Sequence, residues 1–467
     1  MHANNKICAN GVGEVDINLT PFLNHYKDGR IERLLRSPFV AASEDPTANR
    51  GVATRDVVID PGTGVSARLF LPSRATMAGS RRLPLVVYIH GGSFCTESAF
   101  CRTYHGYATS LAAAAGVLVV SVEYRLAPEH PIPSAYDDAW SALRWAAALS
   151  DPWLAGHADP DRTFLAGDSA GGNIAYHTAV RAGRDGMGIE GMIMVQPFFW
   201  GAERLPSEEV WDGVSVLDVT RVGLLWPFVT AGQADNDDPR IDPPDEEIAS
   251  LACRRVLVAV AERDTLRERG VRLFRRVRDR YGAVAGTGAG GGEATLVVSE
   301  GEDHGFHLYS PLRDTSRRLM ESIVRFINNQ PAPVGAEVNG GGGLDYWHGL
   351  WESKKKIIDR ASTATTMSPE VVILGVPSRP FRDIFGYGMD MKRTIRSSGS
   401  SSTTTCMMAA YGGTLKIGGE RGKAAAVAAF KKTKCGLFTG PVRPNKAYKG
   451  PSAAALPGGT QVIKNYF

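Results

Sequence analysis

The chain has 467 residues, 43% of them hydrophobic and 22% charged, an ordinary composition with enough apolar material for a sizeable core. Its net charge of +4 is unevenly spread: 41 acidic residues face 34 basic ones over residues 1–330, whereas 8 face 19 over residues 331–467. No apolar run reaches the ~18 residues of a membrane span, the six cysteines form no pair or Cys/His cluster of zinc-site spacing, and the start shows no basic-then-apolar leader pattern. These features argue against a membrane span, a disulfide framework and a zinc site, imply neither metal nor organic cofactor, and set a cytoplasmic location with free thiols as the expectation.

Taken in chain order, residues 1–50 come first as an N-terminal cap segment with a helical-looking stretch over 18–35. From residue 54 short apolar, β-branched runs alternate with longer helical patterns, as in a mostly parallel sheet covered by helices. Strands are predicted at 54–60, 66–71 and 84–90, a helix at 100–115, and a strand at 117–123 entered through the break at Gly116. A helix at 134–149, a strand at 162–167, a helix at 170–183 and a strand at 190–196 follow. Residues 200–250 then form a long connection rich in Trp, Pro and acid, of the kind that builds lids and binding loops. With residues 1–50 it is expected to make a helical cap over the C-terminal edge of the sheet, where Trp200, Trp211 and Trp226 would wall a compact pocket.

The remaining elements are a strand at 255–261, a helix at 265–281, a strand at 294–299 and a closing helix at 313–328, giving about eight strands over residues 51–330. In the helix at 265–281, Leu266, Leu273, Phe274, Val277 and Tyr281 recur at helical spacing, so the arginines read as a solvated face and no nucleic-acid partner is expected. The glycine-rich stretch 283–292 precedes a strand instead of following one, which argues for a surface loop and against a phosphate cradle. Residues 331–467 are a basic, Gly-, Ser- and Lys-rich extension with too little apolar material to offset chain entropy, and are expected to be disordered.

Chemistry is carried by three places at strand ends. Gly167-Asp168-Ser169-Ala170-Gly171 stands between an apolar strand and a helical pattern, where a sharp turn projects a serine Oγ above the sheet. His90-Gly91-Gly92-Ser93-Phe94 follows the strand at 84–90, and Gly91, Gly92, Ser93 and Ala170 are the oxyanion-hole candidates, with the amides of Gly92, Ser93 and Ala170 converging. Asp264 and His304 each lie just past a later strand. Glu262, Glu302 and Asp303 are rival acids, but Glu302 and Asp303 adjoin the histidine and fold back poorly onto its Nδ1, so Asp264 is favoured. The order Ser169, Asp264, His304 suits a nucleophile, an orienting acid and a general base acting without metal or cofactor.

Several motifs in register resemble one family. HGGSF at 90–94, EYRLAPEHPIPSAYDD at 123–138, GDSAGGNI at 167–174, QPFFWG at 196–201 and GEDHGF at 301–306 are similar to those of plant carboxylesterases of the hormone-sensitive-lipase group. The resemblance spans roughly residues 12–330 and implies the α/β-hydrolase fold, a cap enclosing the acyl pocket, and hydrolysis of small esters through Ser169, Asp264 and His304. It leaves two alternatives. The group's gibberellin receptors bind hormone without turnover and lack the triad histidine, which here is present as His304; isoflavanone dehydratases carry Thr where this chain has Ser169. No membrane association is implied, and neither a protein partner nor the physiological ester can be read from the residues.

Overall fold

The computed structural model describes residues 13–73, 81–251, 253–286 and 292–330, plus two short strands farther on. The first elements are β1 (Val15–Leu19), β2 (Leu23–Tyr26) and β3 (Ile31–Arg33), joined in a three-stranded antiparallel sheet. This corrects the helix expected over 18–35. Leu19, Phe22, Leu23 and Tyr26 fall at helical spacing, but Pro21 breaks a helix and Asp28-Gly29 makes the turn of a hairpin, with Gly29 at φ +82°.

An eight-stranded sheet follows, built from β4 (Val52–Asp60), β5 (Val65–Pro72), β6 (Leu83–Ile89), β7 (Leu118–Glu123), β8 (Ala158–Asp168), β9 (Ile189–Val195), β10 (Cys253–Ala261) and β11 (Glu293–Ser299). Its spatial order is β11-β10-β9-β8-β6-β7-β5-β4; the first six run parallel, and β5 and β4 close one edge antiparallel. All eight predicted strands are present, each within a few residues of its expected bounds. They were readable because strands covered on both faces are near-continuous apolar runs.

Both faces are covered. Leu85, Val87 and Ile89 of β6 join a core with Trp140 of α2 (Ser134–Ala147), Ile174 of α4 (Ala170–Arg184) and Phe274 of α8 (Arg267–Gly286). Val86 and Tyr88, pointing the other way, join Tyr104 and Leu111 of α1 (Arg102–Ala115) and Ile323 of α10 (Asp314–Ile327). The short helix α9 (Phe306–Tyr309) completes this layer, and α3 (Pro152–His157) packs with α2 and α4 on the first face. The connection between β9 and β10 holds α5 (Pro206–Val210), α6 (Val219–Val229) and α7 (Asp245–Ile248). The cap is therefore mixed: helical in its second segment and β-stranded in its first.

One arginine departs from the solvated face expected of α8. Arg269 is 6% exposed and its Nε donates at 2.7 Å to Glu208, which is fully buried on α5. The same guanidinium donates to the Glu203 carbonyl and lies over Trp200, so this pair fastens the 200–250 connection to the sheet's helical layer. α8 itself continues to Gly286, five residues beyond its expected end, and takes in the start of the glycine-rich stretch. Residues 287–291 and nearly all of the basic extension lie outside the described residues. Within the extension, β12 (Thr394–Ile395) and β13 (Thr404–Thr405) pair antiparallel, in a unit separate from the one just described.

Removing one member of a buried ion pair strands the other's charge, a loss of about 3–5 kcal/mol. Urea unfolding of Arg269→Met should show a loss of that size, and the double variant Arg269→Met/Glu208→Met should recover most of it. Equal stability of Arg269→Met and the unaltered protein would mean that the pair does not anchor the connection.

Candidate active site

β8 ends at Asp168 and α4 begins at Ala170, leaving Ser169 alone in the turn at φ 51°, ψ −120°. Few residues other than glycine adopt such a backbone, and here the surroundings impose it. The Ser169 amide donates to the Val195 carbonyl at 2.9 Å, and its carbonyl accepts from the Phe198 amide at 2.8 Å. Gly171 is required for close approach: a Cβ there would collide with the Ile89 carbonyl oxygen at the end of β6.

From this turn a hydrogen-bonded line runs across the sheet's C-terminal edge. Ser169 Oγ lies 2.9 Å from His304 Nε2, and His304 Nδ1 lies 2.8 Å from Asp264 Oδ2. Asp264 is 1% exposed, and its other oxygen accepts the Leu266 amide at 2.9 Å. The rival acids are engaged elsewhere. Glu262 accepts the Gly301 amide, and Glu302 accepts from Arg313 and Thr315. Asp303 accepts from Ser215 Oγ at 2.7 Å and from the Val216 amide at 2.8 Å, tying the histidine loop to the 200–250 connection.

Burial alone would lower the His304 pKa, but the adjoining Asp264 carboxylate outweighs it through charge and hydrogen bond. Asp303 and Asp168 add to the same effect, so the imidazole lies above its ordinary value of 6.5.

The glycine loop corrects one expectation. The Gly91 amide is already used, donating to Tyr104 Oη at 2.9 Å and to Asp168 Oδ1 at 3.1 Å, so Gly91 leaves the set of oxyanion donors. Among the described residues, the amides of Gly92, Ser93 and Ala170 have no protein acceptor. Gly92 has φ +102° and Ser93 φ 55°, the left-handed turn that lifts the loop over the β6 end. Ala170 stands at the N-terminus of α4, where the helix dipole favours negative charge.

Several supporting groups lie outside the set of predicted site residues. Tyr88 and Tyr104 donate to the buried Asp168 carboxylate at 2.7 and 2.9 Å. Gln196 accepts the Gly305 amide and donates to the Asp303 carbonyl, bracing the histidine loop. Arg33 of β3 donates to the Cys95 carbonyl at 2.7 Å, to the Ala127 carbonyl, and with both terminal nitrogens to Glu129, binding the N-terminal segment to the glycine loop.

Above Ser169 lies a narrow, largely apolar pocket that is partly open to solvent. Leu19, Thr20, Pro21 and Phe22 wall it on one side and Leu217, Asp218, Arg221, Val222 and Leu225 on the other, with Ser93, Ser169 and Phe198 below. None of the three tryptophans expected there lines it. Trp226 is fully buried behind Phe198, stacked on it at 6.3 Å, and Trp200 packs in the core. A basic imidazole on a serine hydroxyl, unused amides beside it and an apolar pocket above are the parts needed for acyl transfer.

Comparison with known proteins places this site on a familiar fold. A sequence family described as alpha/beta hydrolase fold matches residues 86–308. "Probable carboxylesterase 5" of Arabidopsis thaliana is 38% identical over 67% of this chain and 98% of its own length. "2-hydroxyisoflavanone dehydratase" of Glycyrrhiza echinata is 39% identical, covering 67% and 96%. "Tuliposide A-converting enzyme 2, chloroplastic" of Tulipa gesneriana is 42% identical, covering 68% and 80%. Among solved structures, a thermostable carboxylesterase cloned from a metagenomic library superposes with a TM-score of 0.51 at 27% identity, covering 64% of this chain and 92% of its own.

The raised His304 pKa sets a pH dependence. Only the neutral imidazole can take the Ser169 proton, so the rate of Ser169 labelling by a fluorophosphonate should fall as pH drops, with a midpoint above 6.5. Asp264→Asn removes the largest raising influence, so its residual labelling should show a midpoint at lower pH. A midpoint that stays put in Asp264→Asn would mean that Asp264 does not set the histidine's basicity.

Proposed function

The chain belongs to the plant carboxylesterase family of the α/β-hydrolase fold, and on that premise we propose that it hydrolyses small carboxylic esters through an acyl-enzyme on Ser169. The observation that carries this reading is the line Ser169 Oγ, His304, Asp264, with its 2.9 and 2.8 Å links, beneath an apolar pocket. Ser169 Oγ attacks the ester carbonyl while His304 Nε2 takes its proton. The oxyanion accepts hydrogen bonds from the amides of Gly92, Ser93 and Ala170, each such donor contributing about 2.7–4 kcal/mol to the transition state. His304 returns the proton to the leaving alkoxide, then activates a water that attacks the acyl carbonyl and frees Ser169. Asp264, accepting from Nδ1–H, fixes the tautomer and stabilises the imidazolium. Every step uses groups of this chain, so the reading calls for no cofactor.

A dehydratase is the second reading, and the Glycyrrhiza echinata relative is the observation that favours it. Hydrolysis of p-nitrophenyl acetate separates the two, since only the esterase reading requires it. Ser169→Ala and His304→Ala should each lower turnover by about 10⁴ or more, to a common floor, because residues acting as a unit are not additive. Asp264→Asn should cost about 10⁴ through the wrong histidine tautomer. Half-maximal turnover in Ser169→Ala would end the esterase mechanism.

We also propose that residues from about 335 onward are dispensable for this chemistry. α10 already covers the sheet, and 67% of the chain accounts for 98% of the Arabidopsis relative. Truncation after Val334 should leave kcat/KM within about twofold; loss of active protein would show that the extension is needed. A cytoplasmic location, the expectation from the sequence, is kept as part of the proposal; separately, no helix among the described residues is long and apolar enough to cross a membrane. The tulip relative's name places it in chloroplasts, and imaging a fluorescent fusion decides between the two compartments.

A further inference from the structure

The acyl-transfer chemistry leaves one charged group of the pocket without a task. Arg221 lines the same wall as Leu217, Val222 and Leu225, above Ser169. Its side chain is half-buried, and its guanidinium makes one long contact, Nη1 to the Thr20 carbonyl at 3.4 Å. Among the described residues no carboxylate comes within ion-pair distance of it. Asp218, the acid on the same wall, is committed locally: its Oδ1 caps α6 by accepting the backbone amide of Arg221 at 3.0 Å.

Three other partly or fully buried arginines near the cap are matched. Arg33 holds Glu129 and two carbonyls, Arg240 holds Asp238, and Arg269 holds Glu208. Apart from Nη1, the Arg221 donors have no protein acceptor among the described residues and keep contact with water at the pocket wall, so most of the fork is open to an anion entering the pocket. A planar fork beside an apolar pocket is suited to a carboxylate, which it binds through two parallel hydrogen bonds.

We propose that this pocket selects esters bearing a second, ionised carboxyl group, held by Arg221 while the scissile carbonyl lies against the Gly92, Ser93 and Ala170 amides. The inference rests on the esterase reading and names its substrate class. A charge-assisted pair of this kind is expected to change kcat/KM by about tenfold or more.

The test compares two matched pairs: p-nitrophenyl butyrate with mono-p-nitrophenyl glutarate, which puts the charge on the acyl side, and phenyl butyrate with 4-butyryloxybenzoate, which puts it on the alcohol side. In at least one pair the anionic-to-neutral ratio of kcat/KM should fall about tenfold in Arg221→Met. Arg221→Lys, which keeps the charge but loses the fork, should fall between, and added salt should lower the ratio of the unaltered protein. Ratios unchanged by Arg221→Met in both pairs would overturn the proposal. Neutral-ester turnover reports separately on the esterase reading. If no ester is turned over, binding of glutarate to Ser169→Ala by calorimetry still decides: binding lost in Ser169→Ala/Arg221→Met supports the site, and equal or absent binding in both overturns it.

Discussion

Asp168 is the residue on which the geometry of the site depends. Its buried carboxylate accepts from Tyr88 on β6, Tyr104 on α1 and the Gly91 amide, so one side chain joins the serine turn, the glycine loop and the helical layer behind them. Burial raises its pKa, and the two tyrosine hydrogen bonds oppose that rise. The consequence is mechanical. Ser169 follows Asp168 directly, and Gly91 precedes the two loop residues whose amides stand unused, so fixing Asp168 fixes the spacing between serine and amides. Preorganised donors aid a transition state only if they need not move to meet it.

The pocket depends on a second set of ties, from cap to sheet. Arg33 joins the N-terminal sheet to the carbonyl of Cys95, two residues past Ser93, and Asp303 joins the histidine loop to Ser215 and Val216. Arg269 and Glu208 anchor the other end of the same connection. The first two ties link a wall of the pocket to a loop of the reacting centre, so the apolar pocket and the hydrogen-bonded line beneath it form one structure. Arg221 stands apart in this arrangement, a cation on the wall with its fork turned to no protein acid among the described residues.

Much of this was legible in the residues because the signals are local. Buried parallel strands announce themselves as apolar runs, and Ser169, Asp264 and His304 each stand just past such a run, where this sheet architecture presents side chains to one edge. What was not legible depends on distant partners. The 18–35 stretch has helical spacing, and its strands are recognisable only when the Pro21 and Asp28-Gly29 turns are weighed above periodicity. Arg269 belongs by pattern to a solvated arginine face, and only Glu208, 61 residues earlier, turns it inward. Gly91 fitted the loop motif as an oxyanion donor, but Tyr104 and Asp168 claim its amide. The tryptophans of the 200–250 connection had the bulk to wall a pocket, yet Trp226 went into the core, its indole nitrogen donating to Asp238.

The central claim is that Ser169 becomes covalently acylated during turnover. Rapid acid quenching of the protein with p-nitrophenyl acetate, followed by peptide mass spectrometry, tests it most directly. The account predicts one acetylated peptide, modified at Ser169, that forms with the initial burst of p-nitrophenol and is absent from Ser169→Ala. Acetylation at a different residue that is competent to turn over, or steady hydrolysis by Ser169→Ala at the unaltered rate, would contradict it.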